Sequence, residues 1–257
     1  MKSMKILFLS LILVHFALVF ACGERNDDID DFGYGFATDE TDYLKSFKEL
    51  LELKWPNNKT MNIVFHGHSV PSGYFRTPVV NTLEAYPQLF LRYLKDRYPH
   101  AVINSITTSI GGENAQQGAE RFKEDVLVMK PDVLFIDYAL NDRGISLEAA
   151  EKAWRQMIED ALKVDVKTIL FTPTPDLRED ILDEAAPLDR YARMIRKLGK
   201  EYDIPVVDSY RHFQNLKEAG SELSQYMAQN NHPNALGHME VLNVMVSTLF
   251  KRSLLDD

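Results

Sequence analysis

The stretch that decides the fold covers residues 62–71 and reads NIVFHGHSVP. Residues 62–65 are mostly apolar, with β-branched and aromatic side chains, which is typical of a strand buried on both faces of a parallel sheet. A glycine follows, and Ser69 comes directly after this turn. Because open α/β sheets carry their functional groups at the carboxyl ends of the strands, Ser69 is a candidate nucleophile.

The same pattern continues along the chain. Four more apolar runs rich in Val, Ile and Phe predict strands over residues 101–106, 132–138, 168–171 and 205–207. Amphipathic stretches predict helices over residues 83–98, 115–129, 147–162 and 188–202, with residues 234–255 closing the chain and residues 43–55 preceding the first strand. Alternation of strands and helices predicts one α/β domain with helices on both faces of a parallel sheet.

The composition excludes several classes of protein. The 257 residues include 45% hydrophobic residues, which is incompatible with a disordered or collagen-like chain and too few for a polytopic membrane protein. With 29 basic against 38 acidic residues the net charge is −9, so a nucleic-acid partner is not expected. The single cysteine can form neither an intramolecular disulfide nor a cysteine-based zinc site.

The amino terminus predicts export. Residues 1–21 carry two lysines and then an uncharged, mostly apolar run, which is typical of a signal peptide and short for a membrane span. Ala21 directly before Cys22 resembles a bacterial lipobox, in which the cysteine is lipidated; ordinary secretion and cleavage is the alternative. Residues 22–42 follow as an acidic tether, and residues 43–257 form the predicted domain. The expected location is the bacterial cell envelope, with the lipid anchor as the only membrane attachment.

Four polar blocks follow the predicted strands or lie in the last loop. They read HGHSVP at 66–71, IGGEN at 110–114, YALND at 138–142 and HPNALGH at 232–238. Right-handed crossovers bring the loops after parallel strands to one edge of the sheet, so the blocks can converge there. Acyl transfer needs such a set, namely a hydroxyl nucleophile, an imidazole base and donors for an oxyanion.

These blocks, in this order, resemble those of the SGNH (GDSL-like) hydrolases. The resemblance implies a flavodoxin-like, three-layer α/β/α fold with a five-stranded parallel sheet. It also implies that Ser69 is the nucleophile and that His232 is the general base and then the acid. The implied oxyanion donors are the backbone N–H groups of Ser69 and Gly112 and the side chain of Asn141. Neither a metal nor another cofactor is expected.

The sequence departs from the family pattern at three positions. His68 replaces an aspartate and Ala139 replaces a glycine, and both changes are tolerable. Gln229 stands three residues before His232, where the family has the aspartate that orients the histidine. Three outcomes are open: a Ser–His dyad supported by Gln229 or a backbone carbonyl, a carboxylate recruited from another loop with Asp176 as the best candidate, or a weakened enzyme.

The resemblance implies a serine esterase that removes small acyl groups, with acetyl favoured, from a carbohydrate. The sugar substrate is inferred by analogy with exported members of the family, since fold alone cannot supply it. A lipolytic esterase or thioesterase is an alternative. A catalytically weakened glycan-binding lipoprotein, marked by Gln229, is the alternative outside the enzymes.

Overall fold

Five parallel strands form the central sheet of the computed structural model, which describes residues 43–251 and Leu254. They are β1 Thr60–Gly67, β2 Val102–Thr107, β3 Val133–Asp137, β4 Lys167–Phe171 and β5 Val206–Val207. The strand order is β2-β1-β3-β4-β5. Every neighbouring pair is parallel, so all five strands end at the same edge of the sheet.

Helices connect the strands and close the chain. They are α1 Lys45–Leu51, α2 Ser69–Ser72, α3 Tyr86–Arg97, α4 Ala115–Glu120, α5 Ala139–Asp142, α6 Leu147–Leu162, α7 Pro187–Tyr202, α8 Ser209–Glu218 and α9 Ala235–Phe250. A short antiparallel pair, β6 Met227–Gln229 and β7 His232–Pro233, precedes the last helix. Short 3₁₀ turns cover Thr82–Glu84, Leu127–Met129 and Leu223–Tyr226, and a π-helical turn covers Phe122–Val126.

Two apolar layers cover the sheet because successive strand residues point to opposite faces. Phe65, Phe135 and Phe171 belong to one layer, where the first two rings stack with centroids 4.7 Å apart. Val64 and Leu134, their neighbours along the strands, belong to the other layer. The first layer contains buried residues of α1, α3, α8 and α9, and the second contains those of α4, α6 and most of α7. This confirms the predicted three-layer α/β/α fold with a five-stranded parallel sheet.

Some predicted helices differ from those observed. The helix predicted over residues 115–129 is broken into α4, a π-helical turn and a 3₁₀ turn. The closing helix was predicted over residues 234–255 but spans Ala235–Phe250, and Lys251 follows it in the left-handed conformation. The sequence patterns did not predict α8 or the β6–β7 pair.

The predicted signal peptide, Cys22 and the acidic tether at 22–42 lie outside the described residues. Within residues 43–251, no helix is both long and apolar enough to span a bilayer.

Candidate active site

Ser69 and His232 are brought together at the carboxyl edge of the sheet. Ser69 opens the short helix α2, two residues after β1 ends, and His232 lies in β7. The Ser69 hydroxyl is 2.9 Å from Nε2 of His232, and both residues are buried. At this distance a neutral imidazole can accept a hydrogen bond from the hydroxyl, so the pair has the geometry of a nucleophile and its base.

A backbone carbonyl orients the imidazole. Nδ1 of His232 is 3.0 Å from the carbonyl oxygen of Phe75, which can only accept a hydrogen bond. The proton of a neutral ring therefore sits on Nδ1, which leaves the Nε2 lone pair for Ser69. Burial lowers the pKa of His232 below 6.5, while the Phe75 bond opposes this shift. The ring is neutral at pH 7 and able to act as a base.

The sequence named Gln229 and Asp176 as side chains that could orient His232, and the structure places both elsewhere. Gln229 Oε1 accepts from the backbone N–H of Thr77 at 3.0 Å, and Nε2 donates to Asn231. Two arginines occupy the carboxylate of Asp176, as described below. The expectation for these two side chains is therefore corrected, because the partner of Nδ1 is the Phe75 carbonyl. A dyad supported by Gln229 or a backbone carbonyl was one of the open alternatives, and its backbone-carbonyl form stays a proposal.

The loop after β2 and the helix after β3 hold the other predicted site residues. Gly112 has a φ of 83°, a left-handed conformation that glycine adopts without strain. Asn141 lies in α5, and its Nδ2 donates to the backbone carbonyl of Glu113 at 3.0 Å. The side-chain amide of Asn141 is thus held by the loop that contains Gly112.

Asp142 is hydrogen-bonded to the residue that follows the glycine loop. Its carboxylate accepts hydrogen bonds from the backbone N–H of Ala115 at 2.7 Å and from the indole N–H of Trp154 at 2.8 Å. Burial raises its pKa, although both hydrogen bonds oppose the shift. Each carboxylate oxygen accepts one structural hydrogen bond, and Nδ1 of His232 is bonded to the Phe75 carbonyl instead.

Two histidines outside the dyad are also buried near it. His68 accepts from the Val70 N–H through Nδ1 at 3.2 Å, and its Nε2 is 3.4 Å from Asp137. His238 accepts from a backbone N–H through Nδ1 and stacks on Phe75, with ring centroids 5.3 Å apart. Burial lowers the pKa of His238 to about 3, so this ring is neutral. Both rings therefore contribute packing and hydrogen bonds around the residues that hold the dyad.

Tyr74 is a further neighbour that the sequence motifs did not identify. Its ring centroid is 5.9 Å from that of His232, and a Cβ built on Gly111 would lie 3.3 Å from the same tyrosine ring. The aromatic ring thus lies close to both the base and the glycine loop. No motif signals it; only its position in the loop after the candidate nucleophile could have suggested it.

A charged cluster follows β4. Arg143 pairs with Asp176 at 2.7 Å and also with Glu179, and Arg178 pairs with Asp176 at 2.5 Å. Burial tends to raise the pKa of Asp176, but hydrogen bonds from Arg178 and Arg143 outweigh this and lower it. Asp176 is thereby held as a carboxylate by two guanidinium groups. Among the described residues, no cluster of three or more His, Cys, Asp or Glu side chains is arranged to hold a metal ion.

A buried serine–histidine pair at the carboxyl edge of a three-layer α/β/α sheet defines a serine hydrolase type of site. The family comparison agrees with this class, since residues 65–239 match the GDSL-like lipase/acylhydrolase family. The chain belongs to this family. The prediction of a carboxylic ester hydrolase is thereby confirmed at the level of the family.

Two solved structures of esterases share this fold. A two-domain esterase (CEX) active on acetylated mannans aligns with a TM-score of 0.67 at 21% identity, over 81% of this chain and 52% of that protein. Axe2, an acetylxylan esterase from Geobacillus stearothermophilus, aligns with a TM-score of 0.64 at 20% identity, over 74% of this chain and 94% of Axe2. At these identities the likeness establishes the fold, which is that of the SGNH esterases.

A Bacillus subtilis (strain 168) protein named "uncharacterized lipoprotein YqeF" is also similar. The two are 28% identical over an alignment 137 residues long, and the match covers 43% of this chain and 56% of YqeF. The chain thus spans about half the length of this relative and of the mannan esterase.

Proposed function

We propose that this protein is a serine esterase that removes small acyl groups, acetyl first among them, from a carbohydrate. The observation that carries the proposal is the 2.9 Å contact between the Ser69 hydroxyl and Nε2 of His232. Family membership and the fold support the reaction class.

The reaction begins with attack of Ser69 Oγ on the ester carbonyl while its proton passes to Nε2 of His232. The carbonyl oxygen becomes an oxyanion, for which the backbone N–H groups of Ser69 and Gly112 and the Asn141 amide are the donors. His232 then gives its proton to the departing sugar oxygen, which leaves an acyl-serine. A water molecule, deprotonated by the same nitrogen, releases the acid and restores Ser69.

The Phe75 carbonyl supplies part of what an aspartate supplies in a triad. It fixes the tautomer of His232 and accepts its N–H throughout the reaction. A carbonyl dipole stabilises the imidazolium less than a carboxylate does, so the barrier is higher than with an aspartate. Loss of the correct tautomer accounts for about 10⁴ in turnover in serine proteases, and this dyad keeps that tautomer.

Two observations support a carbohydrate substrate. The structural neighbours are described as active on acetylated mannans and as an acetyl-xylooligosaccharide esterase. Tyr74 lies partly exposed beside His232, and an aromatic ring offers the flat apolar face on which sugar rings pack. We therefore infer that the leaving alcohol is a sugar hydroxyl.

A second candidate is a lipolytic esterase or thioesterase, which exposed apolar side chains favour. Val79 is 51% exposed and Val80 43% exposed in the loop after Ser69, and Ile110 is 50% exposed just before the glycine pair. A series of chromogenic esters of increasing chain length separates the candidates. Highest kcat/KM on acetate, with a steep fall beyond butyrate, supports the deacetylase, whereas a maximum at octanoate or longer supports the lipolytic enzyme.

The decisive experiment compares hydrolysis of a chromogenic acetyl ester by residues 43–257 with that by Ser69→Ala. Loss of at least 10³ in kcat is expected, because removal of a nucleophile leaves only oxyanion and binding contributions. Ser247→Ala, an exposed serine of α9 that donates to the Val244 carbonyl, is the matched control and should keep full activity. Equal rates for Ser69→Ala and the parent would refute the nucleophile. No activity in the parent would instead favour a weakened, glycan-binding protein, which polysaccharide binding would then test.

We also propose attachment to the bacterial envelope through a lipid on Cys22. The similarity to a protein named as a lipoprotein supports this, as does the alanine before the cysteine. Cys22→Ser in the full chain should move the protein from the membrane fraction to the soluble fraction. Retention of the variant in membranes would contradict the proposal.

A further inference from the structure

We propose that Glu113, Arg121 and Tyr138, called here the Glu113 clamp, are positioning residues that hold the oxyanion donors Gly112 and Asn141 in place. This inference rests on the proposed function of those two donors. None of the three side chains is assigned a chemical step; the clamp acts through residue 113.

The backbone of residue 113 controls both donors. Its carbonyl oxygen accepts from Nδ2 of Asn141 at 3.0 Å, so the direction of this amide follows the position of the carbonyl. Gly112, whose φ is 83°, is its chain neighbour and shares a peptide group with it. A displacement of residue 113 therefore moves both donors together.

The side chain of Glu113 is fixed by three hydrogen bonds. Arg121 donates to it twice, from Nε at 2.7 Å and from Nη2 at 2.5 Å, and the Tyr138 hydroxyl donates at 2.7 Å. Glu113 is 7% exposed, so water cannot readily replace these donors. Bidentate pairs of arginine and carboxylate are directional, and this one fixes the orientation of the Glu113 side chain.

A second set of contacts ties the clamp to the sheet. The Tyr138 hydroxyl is 3.1 Å from Nε2 of His66 in β1, and Nδ1 of that histidine is 2.9 Å from the Thr108 hydroxyl after β2. Gly118 leaves room for the tyrosine, since a Cβ at this position would lie 2.3 Å from its ring. The clamp thus joins the ends of β1, β2 and β3, the strands that precede Ser69, Gly112 and Asn141.

A break in the helical segment lies directly after the arginine. α4 ends at Glu120, and the π-helical turn begins at Phe122, directly after Arg121. Insertions of this kind in helices often occur at functional sites, and here the insertion lies beside the residue that holds Glu113. A regular helix over residues 115–129 would place the residues after Arg121 differently relative to α4.

The alternative is an ion pair that stabilises the domain and has no effect on the donors. The two cases differ in coupling, which a double-mutant cycle measures. If the clamp acts through the oxyanion donors, loss of the clamp and loss of the Asn141 amide remove part of the same stabilisation. If it serves stability alone, the clamp variants leave kcat unchanged. If it affects kcat by a route independent of the donors, the two losses in kcat multiply.

The test measures kcat and KM on a chromogenic acetyl ester for Arg121→Gln, Tyr138→Phe, Asn141→Ala and the two double variants with Asn141→Ala. We expect kcat to fall about 10-fold for Arg121→Gln and about 3-fold for Tyr138→Phe, with KM changed less than 3-fold. In the Asn141→Ala background the Arg121→Gln loss should shrink to about 3-fold or less. Tyr138→Phe removes one hydroxyl only, so it keeps the test valid if Arg121→Gln does not fold.

Arg155→Gln is the matched control. Arg155 also makes a bidentate ion pair, with Glu201 on α7, and donates twice to one oxygen of Glu151 on α6. Its substitution should leave kcat unchanged. Two results would overturn the inference. One is an equal loss of kcat for the clamp variants in the parent and in the Asn141→Ala background, and the other is a lower thermal midpoint with unchanged kcat. Failure of the proposed function would be a different result, namely equal rates for Ser69→Ala and the parent, and it does not depend on the clamp variants.

Discussion

Replacement of Gln229 tests what orients His232. Gln229 occupies the position of the family's aspartate, yet its Oε1 accepts from the Thr77 N–H, two residues after the carbonyl that binds the imidazole. Gln229 therefore supports the loop that carries Phe75, and Gln229→Ala removes one hydrogen bond from that loop while the Phe75 carbonyl remains.

The expected loss of kcat in Gln229→Ala is small because the hydrogen bond between Gln229 and Thr77 is exposed to solvent. The Thr77 N–H lies at the surface, so the bond contributes about 0.5–1 kcal/mol, and full transmission of this loss to the transition state lowers kcat about 2–5-fold. Loss of a residue that orients the imidazole directly costs about 10⁴. Three orders of magnitude separate the two cases.

The assay is kcat on a chromogenic acetyl ester at saturating substrate, with thermal midpoints measured in parallel. Gln229→Glu is the matched control, since it keeps an oxygen acceptor for Thr77, and it should stay within about 3-fold of the parent. A fall of 10³ or more in Gln229→Ala, with an unchanged thermal midpoint, would refute orientation by the Phe75 carbonyl. It would show that the glutamine reaches His232 during turnover.

Three further outcomes are expected. In pH profiles of kcat/KM, the acid limb should have its midpoint below 6.5, because burial lowers the pKa of His232 and a protonated ring cannot act as base; a midpoint above 7 would contradict this. Burial lowers the pKa of His66 to about 4 and of His238 to about 3, so the unfolded chain binds more protons below pH 6.5 and stability falls there. Each of these two histidines should lower the unfolding free energy of the protein by about 2 kcal/mol between pH 7 and pH 5. Urea titrations of His238→Phe should show a smaller fall in unfolding free energy over the same pH range. Gly118→Ala places a Cβ 2.3 Å from the Tyr138 ring and should lower the unfolding free energy by about 2 kcal/mol, whereas Gly220→Ala, a glycine with open space around it but a left-handed φ, should cost less.

The sequence predicted the sheet well because strands buried on both faces are nearly continuous apolar runs. Residues 132–138, for example, contain the whole of β3. It also predicted which loops meet, since parallel strands must end at one edge. The contact between Ser69 and His232 follows from this topology together with the motif order.

The sequence could not predict what orients His232. The partner is a main-chain carbonyl, which every residue carries, so residue identity at Phe75 contains no signal for it. The sequence also gives no signal for the break after Arg121. Residues 121–129 contain neither glycine nor proline, the residues that most often mark the end of a helix. The amphipathic pattern over residues 115–129 predicts neither the π-helical turn nor the ion pair between Arg121 and Glu113.

The charges around the site explain why Glu113 must be paired. In a dyad without aspartate, the imidazolium of the tetrahedral intermediate has the oxyanion as its negatively charged partner, so the stability of the oxyanion matters to both charges. An unpaired carboxylate on Glu113 would repel the oxyanion. Two unit negative charges about 10 Å apart repel each other by about 1.7 kcal/mol at an effective dielectric of about 20. The bidentate bond from Arg121, which also pairs with Asp125, offsets part of that charge while the Glu113 carbonyl holds Asn141. The clamp therefore reduces a repulsion that a carboxylate in this loop would otherwise impose on the oxyanion.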